Sequence, residues 1–214
     1  EVADLPAGTS IRWELRASET AAGLASATPV TFTTPPLKQA TEVTGPMAAK
    51  LFISSETEDA DLFLVVRLFS PDFKEVVFQG ALDPNTPIAQ GWLRASHRKL
   101  DKELSTPWRP YHTHDEKQPL TPGAIYELDI EIWPSCIVAP AGYRLALSVR
   151  GRDYVYPGGE SAGLETLGTA WTGCGPFTHT DPTDRPASIF GGNVTLYTGP
   201  EHKSYLLLPI IPQR

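Results

Sequence analysis

Apolar and polar positions alternate in short stretches along much of this chain. In the clearest, residues 126–132, every second side chain is apolar and acidic residues occupy the positions between. Residues 143–150 repeat the pattern after a turn sequence at 140–142. Successive side chains of a strand point to opposite faces, so this period of two predicts half-buried antiparallel strands. Residues 133–139, between the two, are expected to hold a bulge or a short further strand.

Six other segments have strand patterns, several of them almost continuously apolar. They are residues 11–15, 51–54, 62–69, 75–78, 192–197 and 204–208. The apolar runs 51–54 and 62–69 predict central strands. The last two segments flank Gly199 and Pro200, which predicts a hairpin.

The spacing of helix-breaking residues favours an all-β protein. The 21 prolines and 17 glycines are scattered over the whole chain and leave little room for long helices. Two packed sheets are the simplest way to bury eight strands that have no helices between them. We therefore predict a jelly-roll β-sandwich, with residues 1–214 forming a single domain.

The charge balance excludes several classes of function. Eighteen basic residues against 25 acidic ones give a net charge of −7, whereas a nucleic-acid binder needs a basic face. The same deficit argues against a membrane surface, and we expect neither nucleic acid nor membrane as a partner. The absence of a visible signal peptide favours a cytoplasmic location, and Cys136 and Cys174 are expected to be thiols.

A long excursion around residues 80–122 breaks the rhythm of strands. Loops of this length are uncommon unless they serve a function or an interface, and this one has the Trp, Tyr and Arg bias of interface anchors. The candidate interface or pocket-wall residues are Trp92, Arg94, His97, Arg98, Trp108, Arg109, Tyr111 and His112. The alternative hypothesis is that the excursion packs on its own sandwich, with Arg98 pairing Asp101 or Glu103.

Two motifs suggest chemistry, but neither has a suitable setting. Residues 159–163 match G-x-S-x-G around Ser161, a motif that needs a parallel strand before it and a helix after it. The flanking residues predict neither, so we interpret the match as a surface loop. Metal-ligand types also cluster, but ligand type alone is weak evidence. These clusters are His179, Asp181 and His202, and His112, His114 and Asp115. We predict no catalytic residue, no metal and no cofactor.

Five segments taken in order resemble one known family. They are residues 91–98, 107–112, 119–123, 126–134 and 140–147, with a comparable acidic turn and strand upstream at 59–63. This order is similar to the C-terminal, non-catalytic domain of the X-Pro dipeptidyl-peptidase and cocaine-esterase type of acyl hydrolases (CocE/NonD). The resemblance covers roughly residues 35–155, with a weaker tail through 205–209.

The resemblance implies a jelly roll similar in shape to galactose-binding domains. In that family the catalytic triad belongs to a separate α/β-hydrolase domain, so no catalytic residue carries over to this chain. The implied role is to pack on that hydrolase domain, to help shape its active-site entrance, and sometimes to contribute to a homo-oligomer. The parent's substrate, an ester, an amide or an X-Pro peptide, stays open.

A different class of function is also compatible with the aromatic residues. Trp108, Tyr111 or Trp171 could form the stacking surface of a carbohydrate-binding β-sandwich module. Binding to sugars would separate this alternative from an accessory domain.

Overall fold

The structure is a computed structural model that describes residues 10–15, 29–80, 83–157, 173–175 and 178–212. Its strands are β1 (Ser10–Glu14), β2 (Val30–Thr33), β3 (Thr41–Ser55), β4 (Asp61–Phe69), β5 (Glu75–Val76), β6 (Ala89–Arg94), β7 (Tyr126–Ala139), β8 (Arg144–Arg150), β9 (Val194–Tyr197) and β10 (Tyr205–Ile211). A 3₁₀ turn, Ala95–His97, and a one-turn helix α1, Ala187–Phe190, are the helical elements in these ranges. None of the helices described is long and apolar enough to cross a membrane.

The strands form two antiparallel sheets. One has the order β1-β10-β3-β7, with β9 also paired to β3, and the other has the order β2-β8-β4-β5, with β6 also paired to β4. Apolar side chains from both sheets make one buried cluster. The predicted all-β jelly-roll sandwich is confirmed.

Strand β7 shows the predicted alternation and extends it. Leu128, Ile130 and Ile132 are fully buried, and burial of each such side chain stabilises the fold by about 1.5–3 kcal/mol. The register with β3 shifts opposite Gly45 and Met47, which marks a bulge. Beyond the bulge the inward positions change from even to odd numbers, so the strand continues to a buried residue at 139.

The predicted hairpin near the end of the chain is wrong. β9 and β10 do not pair with each other; both pair with the same edge of β3, one after the other along its length. Because β3 has 15 residues, its edge has room for two strands end to end. The buried hydroxyl of Ser204 lies at the junction, where it donates to the Tyr197 carbonyl (2.7 Å) and accepts from the Phe52 amide (3.1 Å).

The excursion is also more regular than predicted, because its residues 89–94 form β6 against β4. At this edge β6 approaches the neighbouring β7 of the other sheet so closely that no side chain fits at Gly91. A Cβ there would lie 2.2 Å from the Glu131 carbonyl oxygen and 3.0 Å from the Ile132 Cα. Gly91 therefore allows β6 and β7 to pack closely together at this edge of the sandwich.

Gly91→Ala is expected to destabilise the protein by about 1–3 kcal/mol, because the backbones of β6 and β7 must separate to admit the methyl group. Urea unfolding measures the loss. Gly151→Ala is the matched control, since a Cβ at Gly151 meets nothing within 4 Å. Equal stability of the two variants would contradict the close contact.

Candidate functional site

A cleft of about 440 Å³ opens where β6 and β7 meet. β6 contributes Trp92 and Arg94, and β7 contributes Glu131 and Trp133. The 3₁₀ turn, the loop after it and the segment that leads into α1 complete the walls with histidine, aspartate and arginine side chains. The site therefore exists because β6 and β7, from different sheets, meet at this edge of the sandwich.

Aromatic rings form one wall of the cleft. The rings of Trp92 and Trp133 meet edge to face, with centroids 5.0 Å apart and an interplanar angle of 71°. The His179 ring packs 6.3 Å from Trp92 and 5.3 Å from Phe63. Trp133 remains 62% exposed, an unusual degree for a tryptophan. Such exposure marks a surface that can contact another molecule.

Four ionised side chains form a network along a second wall. The Arg94 guanidinium binds Asp61 through Nε–Oδ1 (2.9 Å) and Asp184 through Nη2–Oδ2 (3.1 Å), and it stacks 4.6 Å from the Phe190 ring. Arg185 lies 2.6 Å from an oxygen of each aspartate. The two arginines and two aspartates together carry no net charge. Their ion pairs hold residues 178–190 against β4 and β6.

The network also favours the ionised form of Arg94. The hydrogen bonds from Arg94 to Asp61 raise the pKa of Arg94 against a smaller opposing effect of burial, and Asp184 adds to the rise. Its donors point at these two carboxylates, so Arg94 serves to anchor the chain rather than to offer a free charge to a ligand.

Three imidazoles meet on the remaining wall. His97 and His114 face each other with their Nδ1 atoms 3.0 Å apart, and the ring of His112 lies 6.0 Å from that of His114. A hydrogen bond between two Nδ1 atoms needs one protonated nitrogen and one acceptor, so protonating both would break it. The Nε2 of His112 is buried without a hydrogen-bond partner in the described chain.

The surroundings of two of these histidines favour their neutral forms. Burial lowers the pKa of His97, and the charges of His114, Lys117 and Arg94 lower it further, whereas Asp59 opposes them.

Burial is also the main cause of the lowered pKa of His112. The charges of His114 and His97 act in the same direction. A hydrogen bond to the backbone of Asp129 and the charge of its carboxylate oppose the shift without cancelling it.

Acidification from about pH 7.5 to about pH 5.5 is expected to lower the melting temperature. Because the pKa of His97 and of His112 is lower in the folded protein than the ordinary 6.5, the unfolded chain takes up protons first as the pH falls. The contribution of His97 and His112 to the stability of the fold is thus complete above about pH 6.5, and it is lost as the pH falls below that value. Thermal melts of wild type and of a His97→Asn/His112→Asn variant measure the effect.

The double variant should show a flatter dependence on pH over this interval. His202→Asn is the matched control, because His202 packs beside Phe52 and Tyr197, away from the cleft. A wild-type melting temperature that does not change over the interval would refute the assignment.

The structure keeps His179 and His202, two of the suggested metal ligands, apart from each other. His179 Nδ1 lies 2.9 Å from Asp153 Oδ1, whereas His202 packs against Phe52 and Tyr197. Within the ranges that the structure describes, no three His, Cys, Asp or Glu side chains are placed to hold a metal ion. A metal site built from His179, Asp181 and His202 therefore has no support in this geometry.

The eight candidate residues divide into two groups. Trp92, Arg94, His97 and His112 line the cleft, whereas Arg98, Trp108, Arg109 and Tyr111 do not. Trp108 and Tyr111 are 43% and 44% exposed on the loop, where they stay candidates.

Arg98 does not pair with Asp101 or Glu103 as the alternative hypothesis held. Its guanidinium donates to the carbonyls of Ala95 and Gln118 and stacks on Tyr126, with its Cζ 4.6 Å from the ring centroid. Arg98 thus ties the loop to the sandwich.

Several residues of the cleft were missed by sequence reasoning. Trp133 and Glu131 lie in the segment 126–134. A tryptophan there that follows the outward acidic positions could have indicated a surface site. Asp184 and Arg185 are about ninety positions from Arg94, and nothing local marks them. Ser161 and Trp171 lie outside the described residues, so this structure does not test the predictions about them.

Comparisons with known proteins agree on one family. Residues 10–156 match the X-Pro dipeptidyl-peptidase C-terminal non-catalytic domain. Two proteins named as serine esterases, from Mycobacterium bovis and Mycobacterium tuberculosis, are each 31% identical over 132 residues. That alignment covers 58% of this chain but only 19% of either relative.

Solved structures extend the similarity to nearly the whole chain. A CocE/NonD family hydrolase from Staphylococcus aureus has a TM-score of 0.76 at 26% identity, covering 97% of this chain and 37% of that protein. An α-amino acid ester hydrolase shares the fold at 15% identity with a TM-score of 0.55, covering 86% of this chain and 25% of its own. The chain belongs to the family of X-Pro dipeptidyl-peptidase C-terminal non-catalytic domains, and its structural relatives are hydrolases.

Proposed function

We propose that this chain is an accessory domain of a serine acyl hydrolase, of the X-Pro dipeptidyl-peptidase or cocaine-esterase type. In this proposal it packs on an α/β-hydrolase catalytic domain and helps to shape the active-site entrance. The family match and the CocE/NonD structural relative support it. The chain spans 37% of that relative, which leaves ample length for a catalytic domain elsewhere in such a protein.

The exposed aromatic wall of the cleft is the observation that carries the docking role. Trp133 is 62% exposed beside Trp92 in a concave site, and tryptophans in such positions dominate many interfaces. We propose that the docking face includes this cleft, with His97 and His112.

The proposed face also takes in the adjoining loop, with Trp108, Arg109 and Tyr111. Arg94 and Arg98 support this surface from within, because the charge network and the backbone carbonyls engage their guanidinium groups.

The chemistry of the cleft fits a supporting role better than acyl transfer. Its described lining offers imidazoles and carboxylates but includes no serine, threonine or cysteine to act as an acyl-accepting nucleophile. The isolated chain is therefore expected to hydrolyse no ester and to resist labelling by a fluorophosphonate probe. Label on Ser161 would contradict the proposal.

Hydrogen–deuterium exchange tests docking directly, by comparing this chain alone with the same residues in its full-length parent. Peptides from β6 and β7 that contain Trp92 and Trp133 should exchange more slowly in the parent, because the catalytic domain covers them. Peptides from β9 are the control, since β9 lies on the opposite edge of β3. Equal exchange of the β6 and β7 peptides in both proteins would refute docking at the cleft.

A further inference from the structure

We infer that the corner between Trp92 and Trp133 receives a cationic side chain, a lysine or an arginine, of the catalytic domain, with Glu131 as its counter-charge. This inference rests on the proposed docking function and adds the chemistry of the partner group. Three independent features support it: the arrangement of the rings, the charge balance of the cleft, and the placement of the unpaired carboxylate.

The two indole rings form an angular recess of the kind that binds cations. Their planes meet at 71° with centroids 5.0 Å apart, so a group in the corner faces both π systems. Cations are attracted to indole faces within about 6 Å of the ring centroid, more strongly than to other aromatic rings. The His179 ring also packs beside Trp92, with the two ring centroids 6.3 Å apart.

The arginines around the cleft are engaged elsewhere. Arginines stack on rings at several places, among them Arg94 over Phe190 and Arg98 over Tyr126. Within the described ranges none lies over Trp92 or Trp133. The described arginines thus leave the two indoles of the cleft without a cation, which another domain could supply.

The charge balance of the cleft favours a positive group. Arg94 and Arg185 are neutralised by Asp61 and Asp184, so this network adds no net charge. Glu131 also lines the cleft, is exposed, and has no ion-pair partner among the described residues. An anionic ligand would meet Glu131 and find the arginines already paired, whereas a cation would gain a carboxylate.

Strand geometry places this carboxylate beside the recess. Glu131 and Trp133 are two positions apart on β7, with Trp133 at the start of the bulge between Ile132 and Ser135, and both side chains line the cleft. A guanidinium or ammonium group lying on the Trp133 ring can therefore also approach the Glu131 carboxylate.

A titration of this chain tests the recognition chemistry. The probes are N-acetyl-argininamide, its neutral glutamine analogue, its anionic glutamate analogue and methyl galactoside, and the readout is the NMR signal of the Trp133 indole N–H. Only the arginine probe is expected to shift this signal. Glu131→Gln should weaken binding about two- to fivefold, the loss of one exposed charge contact.

Glu127→Gln is the matched control, because Glu127 lies on the same strand but pairs with Lys50. Equal shifts from the arginine and glutamine probes, or an arginine affinity that is unchanged in Glu131→Gln, would overturn the inference. A response to the galactoside alone would overturn it in favour of sugar binding.

Charge reversal in the full-length parent separates this inference from the docking proposal. Glu131→Lys should speed exchange of the β7 peptide about tenfold or more, because it sets two like charges against each other at the interface. Glu201→Lys, which changes the net charge equally at an exposed site, should not. Protection that persists in Glu131→Lys would leave docking intact and refute the cationic partner, whereas no protection in the wild-type parent would refute docking itself.

Discussion

Replacing Glu75 with alanine is expected to lower the free energy of unfolding by about 3–5 kcal/mol, because it leaves a buried guanidinium without its counter-ion. The side chains of Arg67 and Glu75 are only 6% and 5% exposed. Arg67 Nε donates to Glu75 Oε1 at 2.8 Å, and Nη1 donates to Ser148 Oγ at 3.3 Å. Burial lowers the pKa of Arg67, but the interactions with Glu75 and Tyr154 together outweigh burial and the net shift is upward, so Arg67 stays ionised in the fold.

A second group would lose its partner in the same variant. The hydroxyl of the fully buried Tyr154 donates to Glu75 Oε1 at 2.8 Å. Burial, together with the charge of Glu75, raises the pKa of Tyr154, so the phenol stays protonated and needs an acceptor. Glu75→Ala therefore removes the acceptor of two buried donors at once, the Arg67 guanidinium and the Tyr154 hydroxyl. Each buried donor left without an acceptor lowers the stability of the fold.

Urea unfolding measures this loss, with the exposed ion pair between Lys74 and Asp72 as the matched control. Asp72→Ala removes a carboxylate just as Glu75→Ala does, but it should leave the unfolding midpoint almost unchanged. Arg67→Met combined with Glu75→Leu should recover part of the stability, because it removes the unpaired charge but leaves the Tyr154 hydroxyl without its acceptor. Equal losses for Glu75→Ala and Asp72→Ala would show that the buried pair contributes nothing.

Local patterns predicted the strands well but not how they pair. The burial of Leu128 and Ile130 follows from a period of two, which residues 126–132 display. A bulge or a short strand was expected in residues 133–139, and a bulge begins there, but its place opposite Gly45 and Met47 depends on the register with β3, which no single segment encodes. The false hairpin has the same origin, since nothing local reveals that β10 lies between β1 and β3.

Strand β6 was missed for a different physical reason. Gln90 and Gly91 have low strand propensity, and the glycine is present because the backbone of β7 occupies the space of a side chain. A residue selected for a close approach between sheets looks like a loop residue in the sequence. The sequence pattern thus gave no indication of the role of Gly91, which lets β6 and β7 approach each other beside the cleft.

The candidate site could be predicted only where its residues lie in recognisable segments. Trp92, His97 and His112 were identified through the aromatic and histidine-rich excursion, and they do line the cleft. Asp184 and Arg185 reach it from a distant segment through the charge network. Their role becomes visible only when the fold places that segment against β6.

Arg94→Ala is the other replacement with a large expected effect, about 2–4 kcal/mol, because it opens the charge network that holds residues 178–190. Asp61, only 8% exposed, would keep Arg185 as its remaining partner, and the ring of Phe190 would lose the guanidinium stacked on it. Arg94→Lys keeps the charge but not the planar fork that binds two carboxylates, so it should recover only part of the stability.

Two measurements follow the effect of Arg94→Ala: urea unfolding for the whole fold and hydrogen–deuterium exchange for residues 178–190. The segment should exchange faster in the variant than the loss of global stability explains, because its anchor to β6 is gone while the sheets still pair. Arg109→Ala is the matched control, as Arg109 is exposed on the loop outside the cleft. If the segment exchanged equally in both variants, Arg94 would not be the anchor, and the cleft wall would depend on Arg185 instead.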